Sequence, residues 1–353
     1  MQPGTGTTEL VLPGLEVSTH DVPKPGHWIE RGPQKRLMVF AGRSHPELAE
    51  RIAGHLGVEL GEVNLKPFAN GESYCRYDES IRGADVFILQ TGCSPIDQNL
   101  MELFLMIQAA KLGSAKRITA VIPLFPYARQ DRKAKPREPI SARFVADALQ
   151  LAGADRVLTM DLHAGQIQGF FSIPVDHMTA LPLFARHFRD LGMTGDDIVS
   201  VSPDAGRGKQ AVRFAEMIEA NFAIMHKSRP MHDVATVTEI AGRVRDKTAI
   251  LGDDVIMTGS TMLANVRALK ESGAREVWLF ATHGVFVGDA LDRFAEDPAI
   301  KGIVVTDTVP IDPIGRPDKL TVLPVSGLLA ETIMNVFADD SVSAIFGGEN
   351  QLF

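Results

Sequence analysis

Short runs rich in Leu, Ile, Val and Phe alternate along most of the chain with stretches whose apolar side chains recur every third or fourth position. The first kind of segment reads as a buried strand and the second as a helix with one apolar face. In the first half this predicts strands at 37–42, 84–90, 118–124 and 156–161. Helices are predicted at 46–56, with Pro46 in the first turn, at 97–112 and at 141–151. After a break at 174–179 the alternation restarts. Strands are predicted at 197–201, 222–225, 248–251, 276–281 and 302–305, with helices at 209–218 and 262–269. Strands alternating with helices require crossover connections, so each half is expected to be an α/β domain with a mainly parallel central sheet flanked by helices. Ligands belong at the carboxyl ends of such strands. The length of 353 residues also suits two domains. The expected division is an arm at 1–35, marked by Pro3, Pro13, Pro23, Pro25 and Pro33, then domains at 36–178 and 179–353.

Composition narrows the function classes. The net charge is −8, hydrophobic residues make up 45% and charged residues 23%. No Lys/Arg-rich run stands out on the scale such partners need, so neither a nucleic-acid partner nor an anionic membrane surface is expected, which leaves room for a local basic site that takes a phosphorylated ligand. No apolar run approaches spanning length, and the N-terminus lacks the basic and apolar regions of a signal peptide. Cys75 and Cys93 are too few for a disulfide framework and suit reduced thiols, which favours a cytoplasmic location.

Chemistry gathers where predicted strands end. Residues 247–262 read KTAILGDDVIMTGSTM: a strand, the carboxylates Asp253 and Asp254, the small-residue loop Thr258, Gly259, Ser260 and Thr261, then a helix. Such a loop offers N–H groups, hydroxyls and the positive end of a helix dipole to a phosphate, while the carboxylates suit sugar hydroxyls or a metal. The stretch resembles the phosphoribosyl-binding motif of the phosphoribosyltransferase fold; an ordinary turn with a Ser/Thr cap is the other reading. A second cluster, ARQDRKAKPREP at 128–139, follows a strand directly and is placed to meet a polyphosphate, although a solvated charged loop has the same composition. Asp161 and His163 leave a strand together, and Asp204 lies at the end of another. If the halves face each other, His163 and Asp204 can approach one Mg²⁺, whose remaining ligands would be water and phosphate oxygens. Lys227 and Arg229 lie in a loop after a further strand, where two cations can neutralise a transferring phosphoryl group. The usual nucleotide fingerprints, GxxxxGK[ST] and GxGxxG, are absent.

Taken together, these segments resemble the ribose-phosphate diphosphokinase family, also called phosphoribosyl pyrophosphate synthetases. The likeness rests on PFANGE at 67–72, ESIRG at 79–83, YARQDRK at 127–133, REP at 137–139, DLH at 161–163, QIQGFF at 166–171 and SVS at 341–343. It implies two tandem phosphoribosyltransferase-like domains and Mg²⁺-dependent transfer of the diphosphoryl group of ATP to ribose 5-phosphate. It further implies ATP contacts from Phe68, Asn70, Glu72, Arg129 and Gln130, Mg²⁺ at His163 and Asp204, and catalytic cations at Lys227 and Arg229. Ribose hydroxyls would lie on Asp253 and Asp254, with the 5-phosphate at Thr258, Gly259, Ser260 and Thr261. Ser341, Ser343 and Phe346 resemble part of a phosphate/ADP effector site between subunits, which implies a dimer-based homo-oligomer, often a hexamer.

The departures from the family pattern are uneven. Asn70 stands for Asp and Lys135 for Arg in the first half. In the second, Met257 stands for a third Asp, Ser260 for Gly, Arg207 and Gly208 for Gly-Val, Gln210 for Arg, and Gly284 for Pro. Restoring Asp at 257 is expected to strengthen the sugar-phosphate site and leave ATP untouched. The alternatives are a low-activity relative that regulates or assembles with a true synthetase, and a diphosphokinase with a changed acceptor.

Overall fold

Runs of Val, Ile, Leu and Phe form strands buried on both faces, the condition a parallel sheet needs. The computed structural model describes residues 35–231 and 234–343. The expected arm at 1–35 falls outside them except for Lys35. The first half runs β1 (Leu37–Ala41), α1 (Pro46–Leu56), β2 (Val63–Pro67), β3 (Ser73–Tyr77), β4 (Asp85–Leu89), α2 (Ile96–Leu112) and β5 (Arg117–Ile122). It continues through α3 (Ser141–Ala152), β6 (Arg156–Met160), β7 (Val175–Met178) and α4 (Leu181–Asp190). A parallel sheet of order β1-β4-β5-β6-β7 forms its centre, and β2 and β3 make a separate antiparallel hairpin.

The second half contains β8 (Gly195–Ser202), α5 (Gly208–Met217), β9 (Ala220–Met231), β10 (Val234–Ala241), β11 (Thr248–Ile256) and α6 (Ser260–Glu271). It ends with β12 (Glu276–Gly284), α7 (Ala290–Glu296), β13 (Ile300–Thr306), β14 (Leu320–Leu323) and α8 (Ser326–Ala338). Its sheet order is β10-β9-β8-β11-β12-β13-β14, parallel except for the β9/β10 pair.

Every element predicted from the periodicity is present, and the differences have local causes. The predicted break at 174–179 is the edge strand β7, whose Val-Asp-His-Met sequence carries too few apolar residues to read as a strand. Helix α4, which follows it, buries Leu181, Phe184 and Phe188. These join Val39, Leu158, Ile250 and Val304 in one core shared by both sheets. Phe280 is the hinge of that packing, with ring centroids 4.8 Å from Phe184 and 4.7 Å from Phe214. Each fully buried Phe stabilises the joint by about 1.5–3 kcal/mol. The hairpin β2/β3 has mixed polar and apolar side chains on a half-exposed ribbon, so it gives no clean period.

Polar contacts stitch the carboxyl ends of the two sheets together. Thr91 Oγ1 donates to the Thr308 carbonyl at 2.8 Å, and Thr282 Oγ1 donates to Asp161 Oδ2 at 2.6 Å. His283 lies 3.1 Å from the Met160 carbonyl through Nε2 and 2.9 Å from Thr308 Oγ1 through Nδ1. The strand ends of both halves therefore meet at one place.

Candidate active site

The sequence Met160-Asp161-Leu162-His163 leaves β6 through a residue in the left-handed region, Asp161 at φ 36°. A non-glycine residue there is strained and persists only where its surroundings hold it. Here Asp161 Oδ2 accepts from the Ala180 N–H at 2.8 Å and from Thr282, and the Leu162 N–H donates to His177 Nε2 at 2.8 Å. This anchoring carries His163 to Asp254, with Nδ1 2.7 Å from Asp254 Oδ2. Donation from Nδ1 to the carboxylate leaves the ring lone pair on Nε2.

The strand expected to stop at Leu251 continues to Ile256, so Asp253 and Asp254 lie inside β11 rather than after it. Parallel pairing with β12 drives the extension, matching Asp253 with Ala281 and Val255 with His283. Arg207 closes on both acids from the turn after β8. Its Nε is 2.9 Å from Asp253 Oδ1 and its Nη2 2.7 Å from Asp254 Oδ1. Nη1 donates to Gln210 Oε1 at 3.3 Å, and Nη2 lies 3.4 Å from His163 Nδ1.

Burial pushes the Asp253 carboxyl up to about 7, aided by the adjacent Asp254 charge and opposed by Arg207. Burial also disfavours the Asp254 charge, yet the His163 hydrogen bond and the Arg207 charge hold that carboxyl well below the usual range. The pair titrates as a unit in which Asp254 stays ionised and Asp253 takes the proton. Arg207 is disfavoured by burial too, but Asp254, Asp253 and Asp204 outweigh this and raise its pKa. His283, fully enclosed, is lowered mainly by burial and so stays neutral.

A cavity of about 770 Å³ opens where the strand ends meet, with Arg129, Gln130, His163, Asp254, Met257 and His283 in its wall. Arg129 Nη1 lies 3.2 Å from Met257 Sδ, so the basic loop of the first half touches the position expected to belong to the sugar side. That contact removes the expected independence of the two sides: a residue change at 257 acts on Arg129 directly. Gln130 Oε1 accepts from Ser141 Oγ.

The loop at 257–261 leads into α6 through Gly259, at φ 75°. A Cβ there would sit 2.5 Å from Phe294 Cζ, so both conformation and space require glycine. Carbonyls around the loop are engaged: Met257 by the Val287 N–H at 3.0 Å, Gly259 by the Leu263 N–H at 2.9 Å, and Thr258 by Arg293. No side chain caps the start of α6, where Gly259 is the cap residue and Ser260 and Thr261 present the first N–H groups of the helix, with Thr258 just before them.

The other predicted residues lie elsewhere. Phe68, Asn70 and Glu72 form the turn of the β2/β3 hairpin, with Phe68 48% exposed, and they do not line this cavity. Asp204 turns its Oδ1 to the N–H groups of Gly206 and Arg207 at 2.9 and 3.3 Å, capping the turn that carries Arg207. Among the described residues no cluster of three or more His, Cys, Asp or Glu side chains forms a metal site. The loop expected to carry Lys227 and Arg229 is instead an arm of the β9/β10 hairpin, with Lys227 paired to Val237. The side chains of both cations fall outside the described residues. Ser341 and Ser343 follow α8 with their hydroxyls 2.8 Å apart, and Phe346 is outside the described residues.

Comparison with known proteins decides the family. Residues 37–153 match the N-terminal domain of ribose phosphate pyrophosphokinase, and residues 230–347 match the phosphoribosyl synthetase-associated domain. The ribose-phosphate pyrophosphokinase of Clostridium acetobutylicum is 47% identical over 315 residues, covering 89% of this chain and 98% of that protein. The chain belongs to the ribose-phosphate pyrophosphokinase family. The enzyme of that name from Caldanaerobacter subterraneus subsp. tengcongensis is 49% identical over 310 residues, covering 88% of this chain and 98% of its own. The crystal structure of phosphoribosylpyrophosphate synthetase from Mycobacterium smegmatis superposes with a TM-score of 0.80 at 47% identity, covering 86% of this chain and all of that one. The fold is therefore the expected pair of phosphoribosyltransferase-like domains.

Two features of this family member escaped sequence reasoning as site residues. Arg207 stood out only as a departure from the family pattern, because nothing in a linear sequence reports that a basic residue after β8 reaches acids on β11. Tyr127, at φ 59°, donates to Asp97 at the cavity wall, a pairing of residues 30 positions apart. The Tyr-Ala-Arg-Gln motif was the only signal for it.

Proposed function

We infer that this chain transfers the β,γ-diphosphoryl group of ATP to the anomeric hydroxyl of ribose 5-phosphate, giving 5-phosphoribosyl 1-diphosphate and AMP. The observation that carries this reading is near full-length likeness to enzymes named for that reaction, combined with a cavity that has Arg129 and Gln130 of the basic segment and Asp254 and Met257 of the β11 end in its wall. A low-activity regulatory relative is not favoured, since the relatives that match end to end carry the enzyme's name. Residues 36–178 form the ATP side and 179–353 the ribose 5-phosphate side.

In the reaction the anomeric oxygen attacks the β-phosphorus in line, forming a new O–P bond as the bond to the α-phosphate oxygen breaks and AMP departs. Catalysis of this kind is mainly positioning and charge stabilisation, so no protein nucleophile is needed. Arg129 and Gln130 hold the nucleotide, joined by Phe68, Asn70 and Glu72 from the hairpin. Lys227 and Arg229 stabilise charge on the transferring group. Thr258, Gly259, Ser260 and Thr261 take the 5-phosphate on the N–H groups of α6, and Asp253 and Asp254 border the sugar.

His163 and Asp204 would hold Mg²⁺: the Asp254 carboxylate orients the His163 ring with Nε2 available, and Asp204, whose Oδ1 caps the turn that carries Arg207, keeps Oδ2 as a second donor. When bound, the ion neutralises phosphate charge and polarises the transferring group. Ser341, Ser343 and Phe346 belong to a phosphate or ADP effector site in a dimer-based homo-oligomer. The exposed Leu112, Phe144 and Leu151 support burial against other copies. No helix among the described residues is long and apolar enough to cross a membrane, and the free thiols Cys75 and Cys93 suit the cytoplasm.

The test is AMP release from ATP and Mg²⁺ with and without ribose 5-phosphate. Release that depends on the sugar phosphate is expected; ATP binding without such release would defeat the assignment.

A further inference from the structure

The two carboxylates of β11 are already engaged within the protein. Asp254 Oδ2 faces His163 Nδ1, Asp254 Oδ1 accepts from the Val255 N–H at 2.8 Å, and Asp253 Oδ1 accepts from the Asp254 N–H at 2.9 Å. The Arg207 fork then bridges Asp253 and Asp254 at 2.9 and 2.7 Å, with its side chain only 17% exposed. It reaches them from behind: Arg207 lines a small recess with Ser200, Ser202, Gln210 and Phe280, while Asp254 and His163 also line the large cavity. A purely structural ion pair has no reason to consume an acid that lines the cavity, as Asp254 does. Bidentate, charge-assisted bonds are strong, and an acid pair that has made them has less to offer an incoming cation or hydroxyl.

Resting on the reading of 253–261 as the sugar-phosphate site, we propose that Arg207 is a specificity-determining residue, a built-in counter-cation that stands in for a divalent ion or the acceptor's vicinal hydroxyls at Asp253 and Asp254. The acceptor is then held through its phosphate and its anomeric end, with little selection on its 2- and 3-hydroxyls.

Two measurements on the full chain test this. In the first, Mn²⁺ alone is titrated without nucleotide into wild type, Arg207→Gly and Arg207→Gln, read by electron paramagnetic resonance and by thermal shift. Both variants should bind about tenfold or more tightly than wild type, because two carboxylates lose their internal cation. The second compares kcat/KM for ribose 5-phosphate and 2-deoxyribose 5-phosphate. A site that truly hydrogen-bonds a hydroxyl rejects the analogue lacking it by orders of magnitude, whereas wild type should discriminate by about threefold or less. Arg207→Gly should raise that ratio about tenfold. Unchanged Mn²⁺ affinity in both variants, or wild-type discrimination well above about tenfold, overturns the proposal. Should neither variant fold, the wild-type ratio decides alone. If no form turns over either sugar phosphate, the acceptor assignment has failed, and the Mn²⁺ titration still judges Arg207.

Discussion

On the first-sheet side of the cavity, Arg129 meets a thioether, Met257 Sδ at 3.2 Å, so its positive charge remains available to an anionic ligand. On the second-sheet side, Asp254 in the wall and Asp253 beside it in β11 are clasped by Arg207 and His163, so their charge is largely spent inside the protein. The two walls use the same residue type in opposite ways. A guanidinium beside sulfur keeps its charge for a ligand; a guanidinium between buried carboxylates neutralises them within the protein. Which of these a given Arg does is set by the partner across the gap and by burial, not by the residue itself.

Removing the shared acid should produce the largest effect. Asp254→Asn leaves Arg207 and His163 without their common partner, and loss of one member of a buried ion pair costs about 3–5 kcal/mol. Denaturant unfolding should show it, and a change below about 1 kcal/mol would mean that the clasp contributes little to the fold. Next is the hairpin cation: Lys227→Ala should lower turnover about a hundredfold to a thousandfold while ATP affinity changes little, as expected of a charge used in the transition state. Equal losses in turnover and in ATP binding would move Lys227 to a binding role.

Arg129→Ala should weaken ATP binding by about 1.5–3 kcal/mol, since hydrogen bonds to charged groups have that range. Calorimetric titration with unchanged affinity would erase the contrast between the two walls. The Asp253 carboxyl, at about 7 in the fold against 3.8 ordinarily, gives a pH signature. A raised acid favours its neutral form in the fold, so its contribution is complete below about pH 4 and is lost as pH rises through about 7, with a slope of at most about 1.4 kcal/mol per pH unit. Asp253→Asn should therefore exceed wild type in stability at neutral pH, with the gap closing toward pH 4; a gap that widened on acidification would reverse the assignment. Asp254, shifted downward, works in the opposite sense and loses its contribution only at lower pH. The smallest effect is expected from Met257→Asp, which places a carboxylate beside Arg129 and should weaken ATP by about 1 kcal/mol, measured by the same titration. Unchanged ATP affinity would show that the thioether contact is incidental.

Local periodicity determined the α/β class, the central strands and the helices between them that it predicted, and the strand-end positions of Arg129, His163, Asp204 and the 258–261 loop. Those features are written in neighbouring residues, because burial on both faces of a parallel strand demands a continuous apolar run, and a phosphate loop needs small residues at a helix start. Tertiary structure decided the rest. The strand β7 and the β2/β3 hairpin are too polar to betray themselves, and β11 runs on through two aspartates because β12 pairs with it there. Only folding sets Arg129 against Met257, 128 positions away, and His163 against Asp254, 91 positions away. It also set the charge available at each wall, since burial and pairing are properties of what surrounds a side chain, and a linear sequence names the side chain alone.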